Sequence, residues 1–144
     1  MPLDDFPIKV TLPVLWGNQD LFGHVNNVIY IRWFECSRVA YWDHGVGKTM
    51  GLEGCGPILA NVNCDFKKQI RYPDTVHIGA RIVKAGNTSL RMEHAVYSEE
   101  LSDVAAVGHS IVVLFDYEAQ KPIRISPQLR QTIEETEGHP VPKK

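Results

Sequence analysis

The sequence predicts a single α+β domain in which one curved antiparallel sheet packs around one early helix. Three observations carry that prediction. A nearly all-apolar helical segment stands near the N-terminus, strand-like runs joined by short connections follow it, and the 144 residues suit one hydrophobic core. The composition agrees, because 44% hydrophobic and 22% charged residues is the balance of a soluble globular chain. There is no internal repeat and no second domain, only a break near residue 125 before a short C-terminal segment.

Taken in order, residues 8–16 set Ile8, Val10, Leu12, Val14 and Trp16 against Lys9, Thr11 and Leu15, which is a half-buried strand. Pro13 inside it favours an edge or a bulge. Residues 17–23 form a loop, and Asn26 or Asn27 stands where a helix N-cap belongs. From 28 to 42 the apolar residues are too many for a helix with one wet face, so this helix is expected to be wrapped. Gly45 and Gly47 read as its stop, and 48–56 as a glycine-rich loop. Strands are expected at 58–66, 76–85, 89–98 and 104–115, with Gly86-Asn87 suiting a hairpin connection. The last segment, 126–144, holds a short helix over 127–137 and then a Pro/Lys end expected to fray.

Charge and composition exclude several classes. A formal charge of −2 offers no general attraction to nucleic acid. No apolar run approaches the roughly 20 residues of a membrane span, and the start lacks the features of a secretory signal, which points to the cytoplasm. Cys36, Cys55 and Cys64 fit neither a zinc module nor a redox pair and read as reduced thiols, Cys36 and Cys64 in apolar elements where burial disfavours a nucleophile. Asn87-Thr88-Ser89 fits a glycosylation pattern that, without a secretory signal, reads as chance. The six histidines show no ligand spacing with a nearby carboxylate, so no metal is expected.

The chemistry-bearing segment is Asp20-Leu21-Phe22-Gly23-His24-Val25-Asn26-Asn27. It places polar residues and glycine between an apolar strand and an apolar helix, where packing alone would not ask for them. A helix start offers unpaired N–H groups and partial positive charge, which can polarise a carbonyl oxygen. A carboxylate beside such donors meets two needs of acyl transfer, a nucleophile or base and an oxyanion site. Taken alone, such an Asp is more often a turn or capping residue than a catalytic one, and His24 is more often a structural histidine.

With Tyr30, Phe34, Glu35 and Arg38, this D-x-x-G-H-V-N-N-x-x-Y run resembles the 4-hydroxybenzoyl-CoA thioesterase family of hot-dog-fold acyl-CoA thioesterases. The resemblance extends more loosely over residues 58–125. It implies a five-stranded antiparallel sheet wrapped around a long central helix, a hot-dog domain over 1–125, subunits paired across a continuous sheet, and active sites at the dimer interface. Dimers of dimers remain open. It implies that Asp20 is the catalytic carboxylate and that the backbone N–H near Asn27 polarises the carbonyl. Two departures stand out: Asn18 replaces a second Asp found in many members, and Gly86-Asn87-Thr88-Ser89 replaces a basic cluster that meets CoA phosphates.

The expected function is therefore hydrolysis of an acyl-CoA thioester to free acid and CoA, without a cofactor. Asp20 would be nucleophile or general base, with His24, Asn18 and Asn26 orienting it, the water or the carbonyl. Tyr30 and Trp33 would line the acyl pocket. Lys67, Lys68 and Arg71 are the preferred phosphate contacts, ahead of Arg81, Lys84 and Arg91. Glu35 pairs with Arg32 or Arg38 three residues away, and Glu53 with Cys55 could form a lid. The rivals are a non-catalytic acyl-thioester binding protein and an enoyl-thioester hydratase, although the helix motif of the latter is not evident.

Overall fold

The computed structural model describes residues 3–50 and 54–144. Strand β1 (Ile8–Pro13) leads to helix α1 (Asn27–Tyr41), a π-helical turn (Trp42–Val46) and a short α2 (Gly47–Met50). Then come β2 (Cys55–Phe66), β3 (Thr75–Ala85), β4 (Ser89–Ser98), β5 (Asp103–Asp116), β6 (Lys121–Pro122) and α3 (Pro127–Glu137). The sheet runs β1-β3-β4-β5-β2, all antiparallel, with the two-residue β6 against β5. A curled sheet with α1 packed on one face is the hot-dog arrangement, and β6 is an addition to the five strands expected.

Register explains the inner face. Val10 pairs with Ile78, Ile78 with Val96, and Val96 with Ala106, so one transverse row of apolar side chains crosses four strands. The next row toward the hairpin runs Ile8, Ala80, His94 and Gly108. Small residues there leave room for Phe34 of α1, which is fully buried and stacks on His94 with ring centroids 4.9 Å apart. A Cβ on Gly108 would lie 2.7 Å from the Phe34 ring, so the glycine sets how closely the helix approaches. Burying Phe34 contributes about 2–3 kcal/mol.

His94 is buried and hydrogen-bonded at both ring nitrogens, Nδ1 to Ser37 Oγ of α1 at 3.0 Å and Nε2 to Ser110 Oγ of β5 at 2.8 Å. This polar chain crosses the core from helix to sheet. Apolar clusters lie on either side of it, one around Tyr30, Trp33 and Ile78, the other around Tyr41, Leu90 and Ile133.

Several elements depart from the sequence reading. The first strand stops at Pro13, on the sheet edge that proline tolerates. Trp16 leaves the expected alternation, lies in a 3-10 turn and is 73% exposed. The helix is covered on one face only, with Val28 and Val39 exposed on the other, because a single sheet meets a single side. Gly45 and Gly47 do not end the helical path, which continues to Met50; burial of Val46 offsets their conformational cost. Strand β2 starts at Cys55, three residues earlier than expected. Glu53, assigned to a lid, lies outside the described residues.

The C-terminal helix forms over the expected residues. Ser126 caps it by accepting from the Leu129 N–H, and Gly138 closes it in the left-handed conformation. Leu129 and Ile133 join the main core, and Glu137 accepts from the Tyr41 hydroxyl at 2.5 Å and from the Ile82 N–H at 3.0 Å. The end expected to fray is docked through Pro142: Val141 is buried, its N–H donates to Glu134 at 2.6 Å, and Pro142 accepts from the Ala85 N–H.

Burial, and then the nearby Arg38 charge, push the His94 imidazole down to about 3 from 6.5. The unfolded chain therefore takes up a proton between about pH 6.5 and 3 that the folded chain refuses. His94 stabilises the fold fully above that window and progressively less as pH falls through it. Urea midpoints measured from about pH 6.5 to 5 should fall for the wild type, and with a shallower slope for His94→Gln.

Candidate active site

The loop between β1 and α1 is built by short hydrogen bonds before any ligand is considered. Asp20 N–H donates to the His24 carbonyl at 2.7 Å, and Asn26 N–H to the Asn18 carbonyl at 2.9 Å. Gln19 and Val25 form an antiparallel bridge, and Val25 N–H donates to the Ile70 carbonyl at 2.8 Å. Gly23 turns the chain at φ +79°, a conformation that costs a residue with a Cβ. The loop is thus a closed turn anchored to the segment after β2.

Asp20 is half-buried in it. Its Oδ1 accepts from the Phe22 N–H at 2.8 Å and the His24 N–H at 3.3 Å, so the carboxylate does the turn-forming work that an Asp in such a loop ordinarily does. Oδ2 accepts from none of the described residues. Asn26 is the N-cap, its side chain accepting from the Val28 N–H at 2.9 Å, which resolves the choice between Asn26 and Asn27. Asn27 is the first residue of the helix, and its N–H has no acceptor among the described residues. One oxygen of Asp20 and the Asn27 N–H are therefore uncommitted among the described residues, and both residues line one cleft.

That cleft, about 460 Å³, is lined by Asp20, His24, Asn27, Tyr30, Lys67 and Lys68, together with Val25, Phe66 and Gln69. Tyr30 is buried, its hydroxyl accepts from the Ile70 N–H at 3.2 Å, and its ring meets Phe66 edge-on at 5.1 Å. Burial pushes its phenol above the ordinary range, so it stays a neutral wall. Lys68 pairs with Asp103 at 2.7 Å, and that lysine holds the exposed Asp103 carboxyl below its usual range. Arg71 does not line the cleft but reaches the His24 Nε2 at 3.1 Å.

Other candidates lie elsewhere. Asn18 accepts from the Leu15 N–H at 2.7 Å and so braces the loop rather than touching the Asp20 carboxylate. Trp33 and Asn18 line a neighbouring cavity of about 470 Å³ beside Leu12 and Val28. Arg81 pairs with Glu93 at 2.8 Å, and together with Arg91 they line a depression beside Asn63 and His109. Of the two helix pairings, Arg32–Glu35 forms, at 3.5 Å on the exposed side, whereas the Arg38 Nη1 is buried with no hydrogen-bond partner among the described residues. Burial and Asp65 push the Cys64 thiol up to about 11, far from a reactive thiolate. No His, Cys, Asp or Glu cluster among the described residues could hold a metal, and no described helix is long and apolar enough to cross a membrane.

Sequence reasoning missed Phe66, Gln69 and Val25 as cleft residues. Phe66 ends a strand and Gln69 follows it, and only the packing of that strand end against the helix start brings them to Asp20.

Residues 14–133 match the profile described as the thioesterase-like superfamily. No curated protein matches the sequence. Among solved structures, a thioesterase of Thermus thermophilus complexed with coenzyme A and Zn superposes with a TM-score of 0.83 at 29% identity, covering 96% of this chain and 99% of that one. The DHNA-CoA thioesterase of Staphylococcus aureus is similar in fold, with a TM-score of 0.79 at 20% identity over 91% of each chain.

Two substitutions probe the loop. Asn26→Ala should lower unfolding free energy by about 1 kcal/mol through loss of the cap. Gly23→Ala, which meets no atom within 4 Å, should cost about 1 kcal/mol through backbone strain alone. Chemical denaturation of each variant measures both.

Proposed function

The chain belongs to the thioesterase-like superfamily, and from that membership we propose that it hydrolyses an acyl-CoA thioester to the free acid and CoA. The observation that carries the reading is the shared cleft, lined both by Asp20, one oxygen of which has no partner among the described residues, and by Asn27, whose N–H has no acceptor among them. On this reading the thioester carbonyl oxygen points at the Asn27 N–H, where the helix start stabilises the developing negative charge. Asp20 attacks the carbonyl carbon or draws a proton from a water that does. The C–S bond then breaks and CoA leaves as a thiolate that takes up a proton from solvent or from Asp20; where Asp20 itself attacked, water then hydrolyses the mixed anhydride, which frees the acid and restores the carboxylate. His24 and Asn26 hold the loop in register, Asn18 braces it from outside, and Tyr30 forms the apolar wall against the acyl group.

Lys67 and Lys68 at the cleft border, with Arg71 behind His24, supply the positive charge that CoA phosphates require. The coenzyme A complex of the Thermus thermophilus neighbour supports CoA as the carrier. The finer assignment is to the 4-hydroxybenzoyl-CoA type, supported by the Asp20–Asn27 run. A second copy of the chain paired along a sheet edge would give the continuous-sheet homodimer that this assignment implies, and Leu21, 94% exposed, is apolar surface that a partner could cover.

One observation favours a second reading. Asp20 Oδ1 is already engaged by two backbone N–H groups, as a purely structural Asp would be. The alternative is a non-catalytic acyl-thioester binding protein on the same fold.

Thiol release from a panel of acyl-CoA thioesters separates the two. Asp20→Asn should stay folded and lose activity by about 10² to 10⁴-fold, the range for a lost general base; a variant keeping most of its turnover removes Asp20 from the chemistry, and binding without release by the wild type selects the second reading. In single turnover with ¹⁸O-water, label entering Asp20 marks a covalent step.

A further inference from the structure

Three segments remote in sequence converge on the hairpin between β3 and β4. The Ile125 N–H, in the link from β6 to α3, donates to the Asn87 carbonyl at 2.7 Å. Arg130 of α3 donates through Nη2 to the Ala85 and Gly86 carbonyls at 2.6 and 3.1 Å, and the Pro142 carbonyl of the tail accepts from the Ala85 N–H at 2.9 Å. Each segment brings one cation: Arg124, Arg130 and Lys143 line one pocket of about 530 Å³ beside Gly86, Asn87 and Ser126. No Asp or Glu lines it, although the chain carries 17 acidic residues against 15 Lys and Arg. None of the three cations is in an ion pair among the described residues. Glu134, one turn along α3 from Arg130, instead accepts from the Val141 N–H at 2.6 Å.

Like charges gathered without a counter-charge repel one another, and an anion seated among them removes that cost. Arg124 and Lys143 are exposed and open to such a ligand, while Arg130 is half-buried and held in place by the two hairpin carbonyls. Ser126 Oγ accepts from the Leu129 N–H and keeps its own hydroxyl proton to donate. We propose that this pocket binds the phosphate group of a phosphorylated small molecule. A phosphate monoester carries about two negative charges and three acceptor oxygens, which suits two guanidinium groups and an ammonium; a monocarboxylate would leave most of that charge unmatched. The volume lies within the roughly 300–1,000 Å³ of small-molecule sites, so the organic part also has room. Phe66 of the Asp20 cleft is level with Ala106 and Val96, roughly 20 Å along β4 from the hairpin. The site therefore stands on either reading of Asp20. The phosphates of a thioester carrier such as CoA and those of a free nucleotide are two sources of the same chemistry.

Calorimetric titration of the whole chain at neutral pH with adenosine 3′,5′-bisphosphate tests this, with adenosine as the phosphate-free control. The wild type should bind the bisphosphate saturably, less tightly as salt is raised, and adenosine not at all. Arg124→Gln combined with Lys143→Gln should weaken the bisphosphate by about tenfold or more, whereas Lys67→Gln combined with Lys68→Gln should change it by less than about twofold. Competition separates the sources: stronger displacement by CoA than by AMP assigns the phosphate to the carrier, and displacement by AMP as strong or stronger assigns it to a free phosphorylated ligand. No saturable bisphosphate binding, equal binding of adenosine, undiminished binding by the folded Arg124/Lys143 variant, or loss of binding in the Lys67/Lys68 variant would each overturn the proposal.

Discussion

The seating of Phe34 on the sheet governs the rest of the structure. Gly108 leaves a gap under the ring, His94 stacks on its face, and the nearby Ser37 ties the helix to β5 through His94 and Ser110. Dispersion and burial would fix only the distance between helix and sheet. The hydrogen-bonded chain also fixes rotation and slide, because two serines must meet one imidazole at both nitrogens. With α1 held in that register, its first turn falls beside the end of β2, and Asn27 comes to share a cleft with Lys67 and Lys68.

The loop ahead of the helix then has little freedom. It must leave an edge strand that stops at Pro13, bury Val14, reverse at Gly23 and deliver Asn26 to the cap. Asp20 serves the reversal with one oxygen and leaves the other unengaged among the described residues. On the proposed reading the two roles are compatible, since the turn that the first oxygen closes also fixes where the second one lies.

Much of this was legible in the sequence because it depends on local chemistry. Strand-like runs set off by turn residues gave β3, β4 and β5 to within a residue at each end, and α3 formed over the expected 127–137. The Asn-Asn pair marked the helix start, since capping is a property of a few neighbouring groups. What was not legible depends on partners distant in the chain. The helical path past Gly45 is held by Val46 entering the core, and the C-terminal end is held by Ala85 and Glu134. The cleft was readable on its helix side and not on its strand side, where Phe66 and Gln69 arrive only through the sheet order. Nor does sequence spacing say which of Arg32 and Arg38 meets Glu35; in the fold Arg32 lies in solvent beside it, while Arg38 is half-buried with its Nη1 out of solvent.

Glu137 ties together three elements far apart in the chain with a single oxygen. It accepts the Tyr41 hydroxyl from the end of α1 and the Ile82 N–H from a central strand, while Leu129 and Ile133 of the same helix close one end of the core. The helix that follows the sheet is thus a keystone rather than an appendage. Until residue 137 has emerged from a ribosome, the nascent chain has a sheet but no plug at that end. Synthesis of the last strand therefore does not complete the fold, and α3 shares the cooperative unit of the core.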